Sequence, residues 1–159
     1  MKFAEKRFSF YWPCIKVPVI VLVLLSIAGF ITARFDYSFY KSTFSATLTV
    51  LVSIFVFAFI GWCIVKDSKG SVAHAAWAGA LAGAIAGFLG AIIGILTYYA
   101  VPELIQDALN KVISQGVPGT TAGSIVRISI YVGLVTGPLI NGIIGAIISS
   151  ISGLVAKKL

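Results

Sequence analysis

Acidic side chains are scarce in this sequence: five Asp and Glu stand among 159 residues. Charged residues of both signs amount to 11%, where an average soluble domain has roughly 25%. A soluble domain of this length must cover its surface with polar groups, and 12 Lys or Arg with five acids cannot do so. An ordinary cytosolic enzyme and a disordered tail are therefore excluded. Cysteine is scarce as well, and two residues are too few for a disulfide-dense secreted scaffold. There is no GxSxG nucleophile turn, no HExxH, no dinucleotide fingerprint and no phosphate-binding loop ending in Gly-Lys-Ser or Gly-Lys-Thr. What is present in excess is apolar: 59% of the residues are hydrophobic and mean hydropathy is +1.05. These values describe an integral membrane protein that crosses the bilayer several times.

A hydrocarbon core about 30 Å thick takes about 20 helical residues to cross. Four stretches are long enough: 14–33, 44–65, 72–101 and 125–156. The last two would each form roughly 45 Å of helix, so they must tilt, kink or project beyond the lipid. Lys2, Lys6 and Arg7 ahead of the first stretch, with Ser26-Ile27-Ala28 inside it, give it the outline of a signal peptide. It is read here as a retained span. The expected fold is all-α, a single membrane domain of four helices over 1–159.

With four spans, both termini and the 65–72 turn share one side. That side holds Lys2, Lys6, Arg7, Lys16, Lys66, Lys69, Lys157 and Lys158 against Glu5 and Asp67. The other side holds Arg34, Lys41, Lys111 and Arg127 against Asp36, Glu103 and Asp107. The positive-inside rule then predicts a multi-pass protein of the cell membrane with both termini in the cytoplasm. The net charge of +7 reads as topology and attraction to lipid headgroups, and no nucleic-acid-binding motif accompanies it. The aromatics agree with this layout. Trp12, Trp62 and Trp77 fall at the inner ends, and Tyr37, Tyr40, Tyr98, Tyr99 and Tyr131 fall at or near the outer ends.

The segments between spans carry their own signals. FAEKRFSFYWP mixes cations with rings and reads either as a segment lying on the inner surface or as a solvated flank. The loop 34–43 is short and aromatic. The segment 102–115 opens on Pro102, carries Glu103 and Asp107 near its start, and is followed by Gly116. Leu104, Ile105, Ala108, Leu109, Val112 and Ile113 make one apolar stripe, so an amphipathic helix on the outer face is expected. Residues 116–124, GVPGTTAGS, read as a connector, with a re-entrant loop as the alternative.

Spans one and two are built of Val, Ile, Leu and Phe with one glycine each, Gly29 and Gly61. Span three instead sets Ala75, Gly79, Gly83, Gly87 and Ala91 four residues apart, with Gly90 and Gly94 as a neighbouring row. Span four repeats the spacing at Gly133, Gly137, Asn141, Gly145, Ser149 and Gly153, and adds Gly142. Small residues one turn apart let two helix backbones meet closely, and van der Waals contact drives association where lipid supplies no hydrophobic drive. A glycine zipper between spans three and four is expected, with one row free to meet another copy of the chain.

No Asp or Glu lies inside any expected span. Proton-coupled transporters and rotary-ring subunits work through an embedded carboxylate or an equivalent relay. The four-helix multidrug exporters carry such a glutamate in their first span, and this chain does not. Span four is interrupted at TGPLING. Gly137 and Pro138 would free carbonyls and kink the helix, and Asn141 follows at mid-bilayer depth. Either this is a solute or ion site, or Asn141 bonds across to span three. Cys14, Cys63 and His74 share one depth at the inner ends, but no metal motif fits them. A Cys14–Cys63 disulfide is disfavoured in a reducing cytoplasm.

In layout the chain resembles the small glycine-rich four-span membrane proteins of prokaryotes, a likeness of composition that transfers no site residue. The expectation is a non-enzymatic self-assembling or accessory subunit of a membrane complex. It would have no cofactor or metal, and its partners would be the lipid bilayer and either itself or another membrane protein. The alternative is an uncoupled channel or facilitator for a small ion or solute.

Overall fold

A computed structural model describes residues 7–159. The described chain is helical, with six elements and no strand among them: α1 Phe8–Phe35, α2 Tyr37–Tyr40, α3 Thr43–Lys66, α4 Val72–Ala100, α5 Pro102–Ile113 and α6 Gly119–Lys158. Four of these, α1, α3, α4 and α6, are long and apolar enough to cross a membrane. The bundle has two ends. One carries the chain termini and the α3–α4 turn; the other carries α2 and α5. They are called the termini end and the loop end below.

Local chemistry sets the element boundaries. Asp36 accepts from the Phe39 N–H to start α2, and Ser42 accepts from the Ser45 N–H to start α3. Ser71 and His74 form a reciprocal capping box at the start of α4. The His74 ring is therefore engaged as a capping acceptor, with Phe10 and Tyr11 packed near it. Pro102 occupies the first turn of α5, where its missing N–H leaves no orphan. Gly116 takes a φ of +86°, a conformation glycine adopts without strain, and it closes the turn after α5.

Three expectations change at this level. α1 begins at Phe8, so Phe8, Phe10, Tyr11 and Trp12 belong to the first long helix and not to a separate segment before it; Phe3 and Lys6 lie outside the described residues. Residues 119–124 are helical, which reduces the expected 116–124 loop to a tight turn. Burial of Ala122 and Val126 against the neighbouring elements outweighs the weak helix propensity of Gly and Thr. α6 also runs without interruption through Pro138.

The core lies toward the termini end. In α3 every buried residue falls between Phe57 and Ile64. Ile15, Ile60, Ile64, Ala75, Ala78 and Ala82 are fully buried together there. α4 and α6 form the most extensive pairing. A Cβ at Gly79 or Gly145 would overlap the other's carbonyl, and one at Gly83 would overlap the carbonyl of Asn141. At Gly87 the added carbon would lie 2.7 Å from the Gly137 carbonyl oxygen. α3 joins the same seam, because a Cβ at Gly61 would overlap the Ser149 backbone. Ser149 and Ser152 donate to the Phe57 and Ala58 carbonyls at 2.8 and 2.6 Å, tying α6 to α3 inside the apolar core.

Cys14 and Cys63 are joined by a disulfide between α1 and α3, with the two Cα atoms 5.8 Å apart. This corrects the expectation drawn from compartment chemistry. The two helices meet closely at this depth and hold the sulfurs within bonding reach. Neither thiolate is then free to serve as a metal ligand.

Candidate functional site

Toward the loop end the four long helices separate. A Cβ at Gly94 or Gly133 would meet nothing within 4 Å, whereas the rungs from Gly87–Gly137 downward are in backbone contact. Gly90 does not face α6: its added carbon would lie 3.3 Å from Ser26 Oγ of α1. Gly153 closes the termini end of the seam, 3.1 Å from the Ala75 Cβ by the same construction. The ladder residues thus divide. Gly79, Gly83, Gly87, Gly137 and Gly145 lie in the α4–α6 seam, and Gly94 and Gly133 line open space.

That space is a partly open cavity of about 940 Å³. Leu22, Ser26, Gly29 and Phe30 line it from α1, and Ser45, Thr49, Ser53 and Phe57 from α3. Gly87, Gly90, Gly94, Thr97 and Tyr98 face it from α4, and Ser129, Gly133, Thr136, Gly137 and Asn141 from α6. Tyr40 of α2 and Leu104 of α5 contribute at the loop end. α3, α4 and α6 each offer it small or hydroxylated residues at helical spacing, set among branched ones such as Ile93 and Ile140. Ser45, Thr49 and Ser53 are the clearest case, at consecutive four-residue steps. Sequence reading missed this row because α3 as a whole looked uniformly bulky. The signal was there in the four-residue spacing of its hydroxyls.

The polar residue that α6 sets farthest along the cavity wall is Asn141. Its Nδ2 donates to the Gly137 carbonyl at 3.0 Å, within its own helix and not across to α4. Its side chain is exposed to the cavity, leaving Oδ1 available. Pro138 has no N–H to donate, so the carbonyl one turn earlier, at Leu134, lacks its helical partner. Below Asn141 the packed residues Phe57, Ile60 and Ile15 close the path to the termini end.

Among the described residues, no Asp, Glu, Lys, Arg or His lines the cavity. Ionic groups instead meet at the loop end. Tyr37 of α2 donates to Asp107 of α5 at 2.7 Å, and Lys41 forms an ion pair with the same carboxylate. The bonds from Lys41 and Tyr37 hold the Asp107 carboxyl below the usual carboxylate range. Desolvation, then the bond to Asp107, pushes the Tyr37 phenol up to about 12. This clasp joins the α1–α3 connection to α5, the two segments from which Tyr40 and Leu104 reach the cavity. A smaller recess of about 500 Å³ at the termini end gathers Lys66, Lys69 and Lys157.

No protein family, characterised protein or solved structure matches the chain.

Proposed function

We propose that this chain is an uncoupled conduit for a small solute, with the loop-end cavity as its vestibule and Asn141 as a polar contact at mid-helix depth. The carrying observation is a cavity of about 940 Å³ that reaches Asn141 at mid-helix depth. A purely structural bundle has no need of such a space, and close packing would ordinarily remove it. The missing embedded acid supports passage without proton coupling, since no carboxylate lies within the four expected spans to carry a proton through a cycle. Passage requires the plug at Leu22 and Phe57 to move, because both line the floor and both belong to the packed core. The glycine-zipper pairing of α4 and α6, with α3 tied to it by Ser149 and Ser152, would be the fixed frame within which the Leu22 and Phe57 side chains move.

In the proposed placement α5 lies on the outer face and both termini are cytoplasmic. The cation excess at the termini end supports this. The Cys14–Cys63 bridge pulls the other way, since cytoplasmic thiols are ordinarily kept reduced. Cys14 is 2% exposed and Cys63 9%, which shields the bridge from soluble reductant. A C-terminal reporter that is active only in the cytoplasm checks the orientation.

The test of the function is flux in liposomes carrying the purified chain. Solute entry should exceed that of protein-free vesicles and fall in Asn141→Leu. Equal entry with and without protein, over a broad panel of ions and solutes, would overturn the proposal.

A second reading keeps the chain as a self-assembling or accessory subunit. Gly94 and Gly133 favour it, because small residues facing open space can seat a helix of another copy. The particle would then be larger than one chain in mild detergent, and Gly133→Leu would reduce it to one.

A further inference from the structure

Six of the nine hydroxyl groups that line the cavity donate within their own helix, and the other three, on Tyr40, Ser45 and Tyr98, stand at its loop end. Ser26 donates to the Leu22 carbonyl at 3.1 Å, Thr49 to Ser45 at 2.9 Å, and Ser53 to Thr49 at 2.8 Å. Thr97 donates to Ile93 at 2.8 Å, Ser129 to Val126 at 2.7 Å, and Thr136 to Val132 at 3.1 Å. Each is a bond within the residue's own helix. A hydroxyl that has given its one proton still carries lone pairs, and so acts toward the cavity as an acceptor. Asn141 adds Oδ1 to the same set, since one of its amide hydrogens is held by Gly137.

We infer that the cavity selects small uncharged solutes that donate hydrogen bonds, of the polyol or urea type. This rests on the conduit reading above and names its substrate class. Anions are disfavoured because six of the nine lining hydroxyls have spent their protons on helix carbonyls and no cation stands in the lining. Cations find no carboxylate in the lining, and the chain as a whole carries +7. An ion would therefore have to shed hydration water at the narrow end of the cavity without a counter-charge. A neutral solute with several O–H or N–H groups replaces its water hydrogen bonds at successive acceptors along the wall.

The experiment is osmotic swelling of liposomes that hold the full chain, with glycerol, urea, trimethylamine N-oxide and sodium chloride as the test solutes. Trimethylamine N-oxide is small, has no net charge and donates no hydrogen bond. The chain should speed entry of glycerol and urea and leave trimethylamine N-oxide and salt at the protein-free rate. In the near-isosteric double variant Thr49→Val with Thr136→Val, two acceptor oxygens are lost and glycerol entry should fall about tenfold. Trimethylamine N-oxide passing as fast as glycerol would overturn the inference while leaving the conduit intact. An unchanged glycerol rate in the double variant, with its melting temperature also unchanged, would do the same. No protein-dependent entry of any solute would bring down the conduit and the inference together.

Discussion

The two halves of this bundle use the same small residues to opposite ends. At the termini end, Gly79, Gly83 and Gly145 let helix backbones touch, and the space is filled by Ile15, Ile60 and Ile64. At the loop end, Gly90, Gly94 and Gly133 line a cavity, and hydroxyls stand among branched side chains such as Ile93, Ile130 and Ile140. A glycine therefore has no fixed meaning in these helices. It permits close approach where the neighbouring helix is near, and it leaves volume where the neighbour has turned away. The separation begins beyond the Gly87–Gly137 rung, one residue from Pro138 and one turn from Asn141.

Leucine substitution at matched positions breaks the comparison most sharply. In the packed half, Gly83→Leu or Gly145→Leu drives a side chain into backbone that cannot yield. A loss of about 3 kcal/mol or more is expected, read as failure of the purified protein to hold its size and melting temperature. In the open half, Gly94→Leu and Gly133→Leu should change stability by less than about 0.5 kcal/mol while filling the cavity and reducing flux. Equal destabilisation at Gly83 and Gly94 would remove the distinction between the halves.

The disulfide comes next. It closes a separation of 49 residues, and a loop of that length corresponds to about 4 kcal/mol in the chain-entropy account. A bilayer already confines the unfolded helices, so Cys14→Ser with Cys63→Ser should cost about 2 kcal/mol, read by thermal melting with and without reductant. Ser149→Ala removes a buried bond to the Phe57 carbonyl and should cost about 1 kcal/mol by the same measurement.

The smallest expected effect is at the loop end. Asp107 ionises more easily in the folded protein than in the unfolded chain. Its contribution is therefore present above the ordinary carboxylate range and lost as pH falls through the lowered value. Tyr37 has the opposite sense: its bond is present below the ordinary phenol value of 10.0 and is lost as pH rises through about 12. The protection of α5 amides, taken relative to the intrinsic exchange rate at each pH, should be flat between these limits and fall beyond either. Asp107→Asn should give fast exchange throughout.

Much of this was legible in the sequence because membrane helices leave few choices. The four spans follow from runs of apolar residues, and the small-residue faces of α4 and α6 follow from four-residue spacing. α5 follows from Pro102, Gly116 and one apolar stripe. What was not legible depends on distance between helices. Spacing alone cannot say that Gly79 meets a carbonyl and Gly94 meets nothing, since both sit on the same kind of pattern. Nor could it say that Gly90 faces Ser26 of α1, or that α3 stays with the bundle only from Phe57 onward. The start of α6 at Gly119 was hidden by residues of low helix propensity whose burial decides the matter. The Cys14–Cys63 bridge was argued against from the compartment, which says nothing about how near two helices lie.

The central claim is that the loop-end cavity is a water-filled space reaching into the bilayer. The most direct measurement is the rate at which a small membrane-impermeant thiol reagent modifies single cysteines placed at Ser53 and Thr136. The lipid-facing positions Leu48 and Phe55 serve as controls, with the native disulfide left intact in every variant. The account predicts rapid modification of Ser53→Cys and Thr136→Cys and none of Leu48→Cys or Phe55→Cys. Equal protection at all four positions would contradict it.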